Sequence, residues 1–259
     1  MNGIRAAASQ AGNHPVVEKG ARLGFAASGL LHLLIAWVIL QLAWGQPGGS
    51  GGDADQEGAL RTLAGNGVGS VLLWLTVVGF AFLALWQLTE AVARGAAGDR
   101  LKAAGKAVVY GALAWTAFTV VDGAGAGGTD ESVTARLMAT TGGRALVAVL
   151  GLVVIGVGLY HVVKGWTRRF RRDLREHPGR WVERAGRVGY VAKGVALLLV
   201  GGFFVVAAAT AESDQAQGLD GVLRTVAVLP LGAVLLTLAA FGFTAYGVYS
   251  FARARYGRV

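Results

Sequence analysis

The sequence predicts an all-α fold: a polytopic membrane protein of six transmembrane helices, arranged as three tandem helical hairpins in a pseudo-threefold relation. Three observations predict it: six apolar runs are long enough to cross a bilayer, Lys and Arg collect in alternate connecting segments, and a two-helix pattern recurs. Of the 259 residues, 54% are hydrophobic and 15% are charged, whereas an ordinary soluble domain has about 25% charged residues. Too little polar sequence remains to cover six apolar helices in water.

The six spans follow from the length that a helix needs to cross lipid. About 20 apolar residues cover the hydrocarbon of a bilayer. The predicted spans are 23–44, 68–93, 107–121, 145–166, 188–210 and 226–251. The third is the weakest and needs Ala103 and Ala104 to reach a comfortable length. No convincing cleavage site follows the first span, so we expect it to be retained and not removed as a signal peptide.

The basic residues predict the orientation of these spans. Of the 24 Lys and Arg residues, 19 fall in the segments 1–22, 94–106, 164–187 and 252–259. By the positive-inside rule, these segments lie on the cytoplasmic side, together with both termini. The 164–187 linker, which holds nine of them, is expected to lie against anionic lipid head groups. Docking of a membrane-protein partner on this linker is the alternative.

Composition also excludes several classes of function. A net charge of +9 could indicate nucleic-acid binding, but the basic residues lie at the ends of apolar segments, so we expect no nucleic-acid partner. Cysteine is absent, which excludes disulfides, thiolate metal sites and cysteine nucleophiles. The glycine-rich residues 48–52 lack the following Gly-Lys-Ser/Thr of a phosphate-binding loop. We therefore expect no enzymatic activity and no cofactor. Arginine outnumbers lysine 19 to 5, a bias often seen in GC-rich bacterial genomes.

Two stretches of the chain repeat each other without gaps. Residues 57–80 align with residues 220–243 with 12 identities in 24 positions, and both contain Gly-x-Leu-Arg-Thr-x-Ala. The preceding helices share Arg-x-Gly-x-x-Ala-x-Gly, which starts at Arg22 in one copy and at Arg187 in the other. Each copy crosses the membrane twice, so the copies share one orientation and are related by an axis along the membrane normal.

A fainter middle copy completes the set. Residues 106–111 fall on the frame of residues 24–29, and Arg136 falls on Arg61 and Arg224. The predicted organisation is a cytoplasmic N-terminal segment 1–17, hairpin repeats 18–95, 99–166 and 183–255, and a basic cytoplasmic linker 167–182. A ring of hairpins is the natural arrangement, and a linear stack is the alternative.

These motifs carry a resemblance to a known family. The G-x-x-x-x-G helix starts, the G-x-L-R-T-x-A segment and the three-hairpin layout resemble the bacterial integral membrane family known as domain of unknown function 1206. The resemblance covers nearly the whole chain beyond residue 18. The second repeat departs most, with Lys106 for the first glycine and Ala135-Arg136-Leu137 for Leu-Arg-Thr. The resemblance implies three repeats, each a pair of transmembrane helices, and implies no activity.

The outer segments hold the first candidate functional residues. Asp220 precedes Arg224 by four positions, as Glu57 precedes Arg61, the favourable order for an ion pair on a helix. We interpret each segment as a short amphipathic helix at the outer interface that anchors its hairpin. The alternative is that Arg61, Arg136 and Arg224 converge around the axis and attract an anionic solute.

His32 is the most unusual residue within the spans. It follows Arg22 by ten residues, which places it about 15 Å deep, close to mid-bilayer. An ionisable residue at that depth indicates a functional site, and a neutral imidazole bonded to a neighbouring helix is the alternative. His161 lies about 7 Å from the inner end, too shallow to share a haem with His32. Lys164 and Lys193 are expected to extend to the cytoplasmic surface.

The sequence therefore favours a non-enzymatic structural or accessory protein of the bacterial cell membrane. Its alternative is a transporter or channel for a small solute along the pseudo-threefold axis. A transporter predicts a polar midplane cavity that contains His32, whereas an accessory role predicts an exposed groove of small residues on the lipid-facing surface. The scarcity of polar residues within the spans disfavours an aqueous pore.

Overall fold

The computed structural model describes residues 15–45, 60, 67–93, 96–121, 138–175, 179–212, 216 and 218–258. Its six long helices are α1 (Pro15–Trp44), α2 (Gly67–Ala93), α3 (Ala97–Val121), α4 (Thr141–Trp166), α5 (Arg180–Thr210) and α7 (Gly232–Tyr256). A short helix, α6 (Leu219–Ala227), precedes α7, and a 3₁₀ turn (Arg169–Asp173) follows α4. All six long helices are long and apolar enough to cross a membrane, which confirms the predicted all-α polytopic fold.

Three helices begin before their apolar runs. The first residues of α1, α3 and α5 are Pro15, Ala97 and Arg180, whereas the apolar pattern predicted starts at residues 23, 107 and 188. Within lipid, backbone N–H and C=O groups must form their hydrogen bonds inside the helix. Once it has formed, the helix continues into the polar interface. There the Glu18–Arg22 ion pair, at 2.9 Å and four residues apart, supports the first turns of α1.

The predicted start of the sixth span was wrong. The apolar pattern placed it at Val226, but Val226 belongs to α6 and the spanning helix begins at Gly232. Pro230 lacks a backbone N–H and disfavours a helical conformation in the residue before it. Leu231 then adopts a left-handed conformation with φ 68°. A continuous apolar run therefore hides a turn between two helices.

The helices pack in a curved order that resembles a ring. Along the arc the order is α3, α2, α1, α7, α5, α4, and each helix packs on the next. Ala117 and Val120 of α3 belong to the same buried core against which Ala196 of α5 packs, so the arc bends back on itself. Within the described residues, α3 and α4 share no extensive contact. The second hairpin therefore leaves the ring open on one side.

Glycines set the closest helix contacts. A Cβ added at Gly158 of α4 would lie 2.9 Å from the carbonyl oxygen of Gly194 on α5, too close for any side chain. Gly29 of α1 and Gly247 of α7 approach in the same way, with a Cβ on either lying 3.0 Å from the other's carbonyl oxygen. Small residues let backbones approach closely in lipid. Gly29 and Gly194 occupy matching repeat positions, so the two interfaces are equivalent.

The outer surface of the bundle is apolar. Large apolar side chains on α4 are about half exposed or more, namely Leu146, Val149, Leu150, Leu152, Val153 and Leu159. A soluble monomer rarely exposes a contiguous apolar surface of this extent. In a bilayer it is the contact with acyl chains. The chain is therefore a membrane protein embedded in lipid.

The connection between α4 and α5 is packed against the end of α7. Leu174 forms an isolated antiparallel bridge with Gly257, and the Arg175 N–H donates to the Tyr256 carbonyl oxygen at 2.7 Å. Phe170 is fully buried beneath the bundle. This segment therefore closes the basic end of the ring and is part of the fold.

Candidate functional site

His32 lies inside the bundle on α1, with only 4% of its surface exposed. Its Nδ1 is 2.7 Å from the carbonyl oxygen of Ser28, one turn earlier. A carbonyl oxygen can only accept, so Nδ1 carries the proton and Nε2 is free to accept a hydrogen bond. The imidazole packs on the ring of Tyr246 of α7, with centroids 4.5 Å apart.

The side chain of Lys193, on α5, donates a hydrogen bond to Nε2 of His32. Its Nζ is 3.2 Å from Nε2 of His32 and 4.4 Å from the centroid of the Tyr246 ring, which is a cation–π contact. The expectation that Lys193 extends to the cytoplasmic surface was therefore wrong. The imidazole and the aromatic face solvate the ammonium inside the bundle. Among the residues that the structure describes, no carboxylate forms an ion pair with Lys193.

Three tyrosines lie between this contact and the basic end of the bundle. We call Tyr190, Tyr246 and Tyr249 the tyrosine cluster. The Tyr190 ring centroid is 5.3 Å from that of Tyr246 and 5.3 Å from that of Tyr249. The Tyr249 hydroxyl donates to the carbonyl oxygen of Phe170 at 3.1 Å. Edge-to-face packing accounts for the aromatic bodies, while the hydroxyls need polar partners.

Asp173 lies at the basic end of the bundle, beyond the tyrosine cluster. It lies in the 3₁₀ turn, and its Oδ2 is 2.6 Å from Nζ of Lys164. The Tyr190 hydroxyl donates to the same oxygen at 3.4 Å. Burial opposes ionisation of this carboxyl, but the cations Arg253 and Lys164 hold the pKa of Asp173 below its ordinary value. Lys164 therefore pairs within the protein and does not extend away from it.

Arg253 of α7 brings a further positive charge to the same region. Its guanidinium carbon lies 4.0 Å from the centroid of the Phe25 ring. Its Nε is buried and has no hydrogen-bond partner in the part of the chain that the structure describes. The carboxylate of Asp173 is near enough to Arg253 for the two opposite charges to attract.

Together these side chains form one basic region in the half of the bundle next to its basic end. Lys106 of α3 is exposed, and its charge is near enough to interact with that of Asp173. We call these four residues the inner cationic cluster: Lys106, Lys164, Lys193 and Arg253. Asp173 lies among them and pairs with Lys164.

In the half of the bundle away from its basic end, the interior is apolar and closely packed. Ile35 and Ile39, one and two turns beyond His32 on α1, are fully buried. Leu73 of α2 and Leu236 of α7 are 1% exposed beside them. Within the described residues, the row of polar side chains that runs from Asp173 through the tyrosine cluster therefore ends at His32. It does not continue to the opposite end of the bundle.

The structure describes one of the three candidate arginines. Arg224 lies on α6, and its Nε is 2.6 Å from Oδ2 of Asp220. Val222 and Leu223 are buried on the other face of this helix, which confirms a short amphipathic helix here. Arg61 and Arg136 lie outside the described residues, so the convergence of the three arginines stays a prediction.

Exposed arginines surround the connection between α4 and α5. We call them the arginine band: Arg168, Arg169, Arg171, Arg172, Arg175, Arg180 and Arg184. Trp166 and Trp181 flank the band and are 68% and 80% exposed. Arg187 lies 4.8 Å from the Trp166 ring and Arg184 5.3 Å from the Trp181 ring. Aromatic and basic residues at helix ends are typical of the interface between lipid and water.

No metal site emerges from the described residues, since none of their His, Asp and Glu side chains gather in groups of three or more. His161 bonds to its own helix at the Val157 carbonyl oxygen and packs on Tyr190 with centroids 5.7 Å apart. It is thus a neighbour of the tyrosine cluster, whereas His32 contacts Lys193.

The partners of His32 were not predicted from the sequence, although the repeats contain a signal for them. In the repeat alignment, Lys193 falls on Ser28 of the first repeat and on Tyr110 of the second. In the structure, the backbone carbonyl oxygen of Ser28 holds the imidazole, and the side chain of Lys193 contacts it. A lysine within an apolar helix was a signal in the sequence for a polar contact at this depth.

This architecture defines a class of polytopic membrane proteins built from repeated two-helix units around a common axis. The family model described as Domain of Unknown Function (DUF1206) matches the chain three times, at residues 23–94, 101–168 and 188–257. The chain therefore belongs to this family, which confirms the resemblance inferred from its motifs.

A curated relative is similar over nearly the whole length of the chain. Uncharacterized protein YxxB of Bacillus subtilis (strain 168) is 28% identical over 256 residues, which cover 93% of this chain and 92% of the relative. No solved structure matches the chain.

Proposed function

We propose that the chain is a non-enzymatic accessory protein of the bacterial cytoplasmic membrane. Both of its ends lie in the cytoplasm, and the exposed side of its second hairpin receives a transmembrane helix of a partner membrane protein. The partner is a different chain, because the three hairpins of this chain already satisfy one another elsewhere around the arc.

One observation carries this proposal. Gly29, Gly111 and Gly194 occupy matching positions in the three repeats. A neighbouring helix covers Gly29 and Gly194, but none of the described residues comes within 4 Å of a Cβ added at Gly111. Gly105, also on α3, is open in the same way. Small residues on a lipid-facing surface let another helix approach closely.

The exposed apolar residues around Gly111 support the same proposal. Val108 and Trp115 are 72% and 67% exposed on α3. Within the described residues α3 packs extensively only on α2, so most of its circumference is left for lipid or a partner. A large aromatic side chain beside a glycine offers a ridge and a groove to an incoming helix.

The partner is tested by site-specific photo-crosslinking in native membranes. A photoreactive residue at Ala112, which is exposed beside Gly111, is expected to yield one protein adduct of defined mass. Gly111→Leu should fill the groove and reduce that adduct by about tenfold, equivalent to about 1.4 kcal/mol. A photoreactive residue at Phe241, exposed on α7, is the control. Equal adducts from both positions, or adducts with lipid alone, would contradict the proposal.

The orientation proposed here is supported by the arginine band. Its residues lie at the same end as the inner cationic cluster, with Trp166 and Trp181 beside them. Each basic residue near an anionic leaflet contributes about 1 kcal/mol of attraction. We therefore place the band against anionic head groups of the inner leaflet.

Transport of a small solute along the axis is the second candidate. The contact between His32 and Lys193 favours it, because both are ionisable groups within the membrane. The packed outer half means that transport needs a second conformation in which Ile35 and Ile39 separate from α7. A current driven by an anion gradient across proteoliposomes, lost in Lys193→Met and retained in Lys102→Met, would support this candidate. A membrane that stays electrically silent under every gradient would remove electrogenic transport.

A further inference from the structure

We propose that the inner cationic cluster is an internal binding site for a phosphate-type anion. The anion is the phosphate of a lipid head group or a free phosphate. Lys193 and Arg253 are its principal ligands, and the hydroxyl of Tyr110 is a supporting donor. This inference goes beyond the accessory role proposed above and does not depend on it.

The charge of the region is the first argument. Asp173, a carboxylate in this region, is already bound to Lys164 at 2.6 Å. Neither Lys193 nor Arg253 forms an ion pair with a described carboxylate. Positive charge removed from water and left without a counter-charge is costly. An anion between Lys193 and Arg253 would offset that cost.

Donor groups without acceptors are the second argument. Nε of Arg253 is buried and lacks a hydrogen-bond partner among the described residues. An ammonium has three protons, and Lys193 directs one to His32, which leaves others for a ligand. Buried donors are nearly always satisfied in native proteins. A phosphate carries several strong acceptor oxygens and matches the planar fork of an arginine.

The position of the cluster decides how an anion reaches it. The outer side is closed by packed apolar residues, among them Ile35 and Leu236. On the lateral side, α3 and α4 share no extensive contact within the described residues, and Lys106 stands exposed on α3 at this opening. The ligand therefore enters from the inner leaflet or from the cytoplasm, where lipid phosphates and soluble phosphates both occur.

The two sources are separated by two binding measurements on the purified protein in detergent. Native mass spectrometry with short-chain phosphatidylglycerol tests the lipid source, with zwitterionic phosphatidylcholine as the reference. Calorimetric titration with inorganic phosphate tests the free source, with chloride as the reference. We expect at least one anion to bind about tenfold more tightly than its reference, since a charge-assisted hydrogen bond supplies a difference of that size.

Substitutions assign the binding to the cluster. Lys193→Met and Arg253→Met should each weaken binding by at least about tenfold. Lys102→Met and Arg255→Met are the matched controls, because both side chains are exposed and Arg255 lies two residues from Arg253 on the same helix. Circular dichroism and gel filtration verify the fold of each variant. If Arg253→Met does not fold, Arg253→Lys should retain the fold and still weaken binding, because the fork of donors is lost.

Three results would overturn the proposal. The first is wild-type protein that binds neither anion better than its reference. The second is binding that Lys193→Met and Arg253→Met leave unchanged. The third is a loss of binding that the exposed controls reproduce, because binding would then reflect surface charge.

Discussion

At the scale of single residues, the contact between His32 and Lys193 defines the interior of the protein. The imidazole is fixed by the Ser28 carbonyl oxygen on one side and accepts from Lys193 on the other, at 2.7 and 3.2 Å. The depth of His32 could be read from the sequence because it needs only the helical rise. Its partner could not, since Lys193 is 161 positions away and the contact depends on how α1 and α5 face each other.

The two members of this contact should respond differently to substitution. Lys193→Met removes a positive charge that pairs with no carboxylate among the described residues, and methionine keeps most of the volume of the lysine side chain. We therefore expect an unchanged or raised unfolding temperature. His32→Leu removes the acceptor and leaves the ammonium unsatisfied, which should lower stability by about 1–3 kcal/mol. Thermal unfolding of both variants in one detergent measures the difference. A larger loss for Lys193→Met than for His32→Leu would contradict this account.

Asp173 makes the packing of the basic end sensitive to acid. Its pKa is held below the ordinary value by Arg253 and Lys164, against the opposing effect of burial. A lowered pKa in the folded state stabilises the protein above the unfolded pKa, near 4. That contribution is lost as the pH falls from about 4 through the folded pKa.

The acid sensitivity can be assigned by substitution. Unfolding temperatures measured between about pH 7 and pH 3 should fall less steeply in Asp173→Asn than in the wild type, because the variant has no carboxylate to protonate. Asp99→Asn is the control, since the pair of Asp99 with Lys102 is exposed and such pairs contribute little. Parallel acid curves for wild type and Asp173→Asn would rule out this role.

At the scale of helices, the sequence predicted existence and order well and boundaries less well. Apolar runs reveal which residues lie in lipid, but the helices continue into the polar interface, as α5 does from Arg180. The run that included Val226 and Gly232 was divided by a turn at Pro230, because the turn residues are themselves apolar. The amphipathic α6 was predicted correctly from the spacing of Asp220 and Arg224.

Helix contacts follow from glycine positions that face a neighbour. Gly158→Ala would place a Cβ 2.9 Å from the Gly194 carbonyl oxygen, so we expect a loss of about 1–3 kcal/mol from overpacking. Gly156→Ala, on the same helix, meets open space and should be neutral or stabilising by up to about 1 kcal/mol. Chemical unfolding in mixed micelles compares the two. Equal stability of both variants would show that α4 and α5 are not in close contact.

At the scale of the whole molecule, the repeats explain both the ring-like order and its interruption. The second repeat is the one that diverges most in sequence, with Lys106 for a glycine, and it is also the one whose two helices share no extensive contact among the described residues. The divergence was visible in the sequence. Its structural result was not, because an alignment shows which positions correspond and does not show which helices meet.

The proposed topology is a six-span chain with both ends in the cytoplasm. The chain has no cysteine, so single cysteines can be placed without background at Asn2, at Arg172 in the arginine band and at Val228 between α6 and α7. A membrane-impermeant maleimide applied to right-side-out vesicles should label Val228→Cys alone, and applied to inside-out vesicles should label Asn2→Cys and Arg172→Cys alone. Labelling of Asn2→Cys and Arg172→Cys from opposite sides, or of Val228→Cys from the same side as Arg172→Cys, would contradict it.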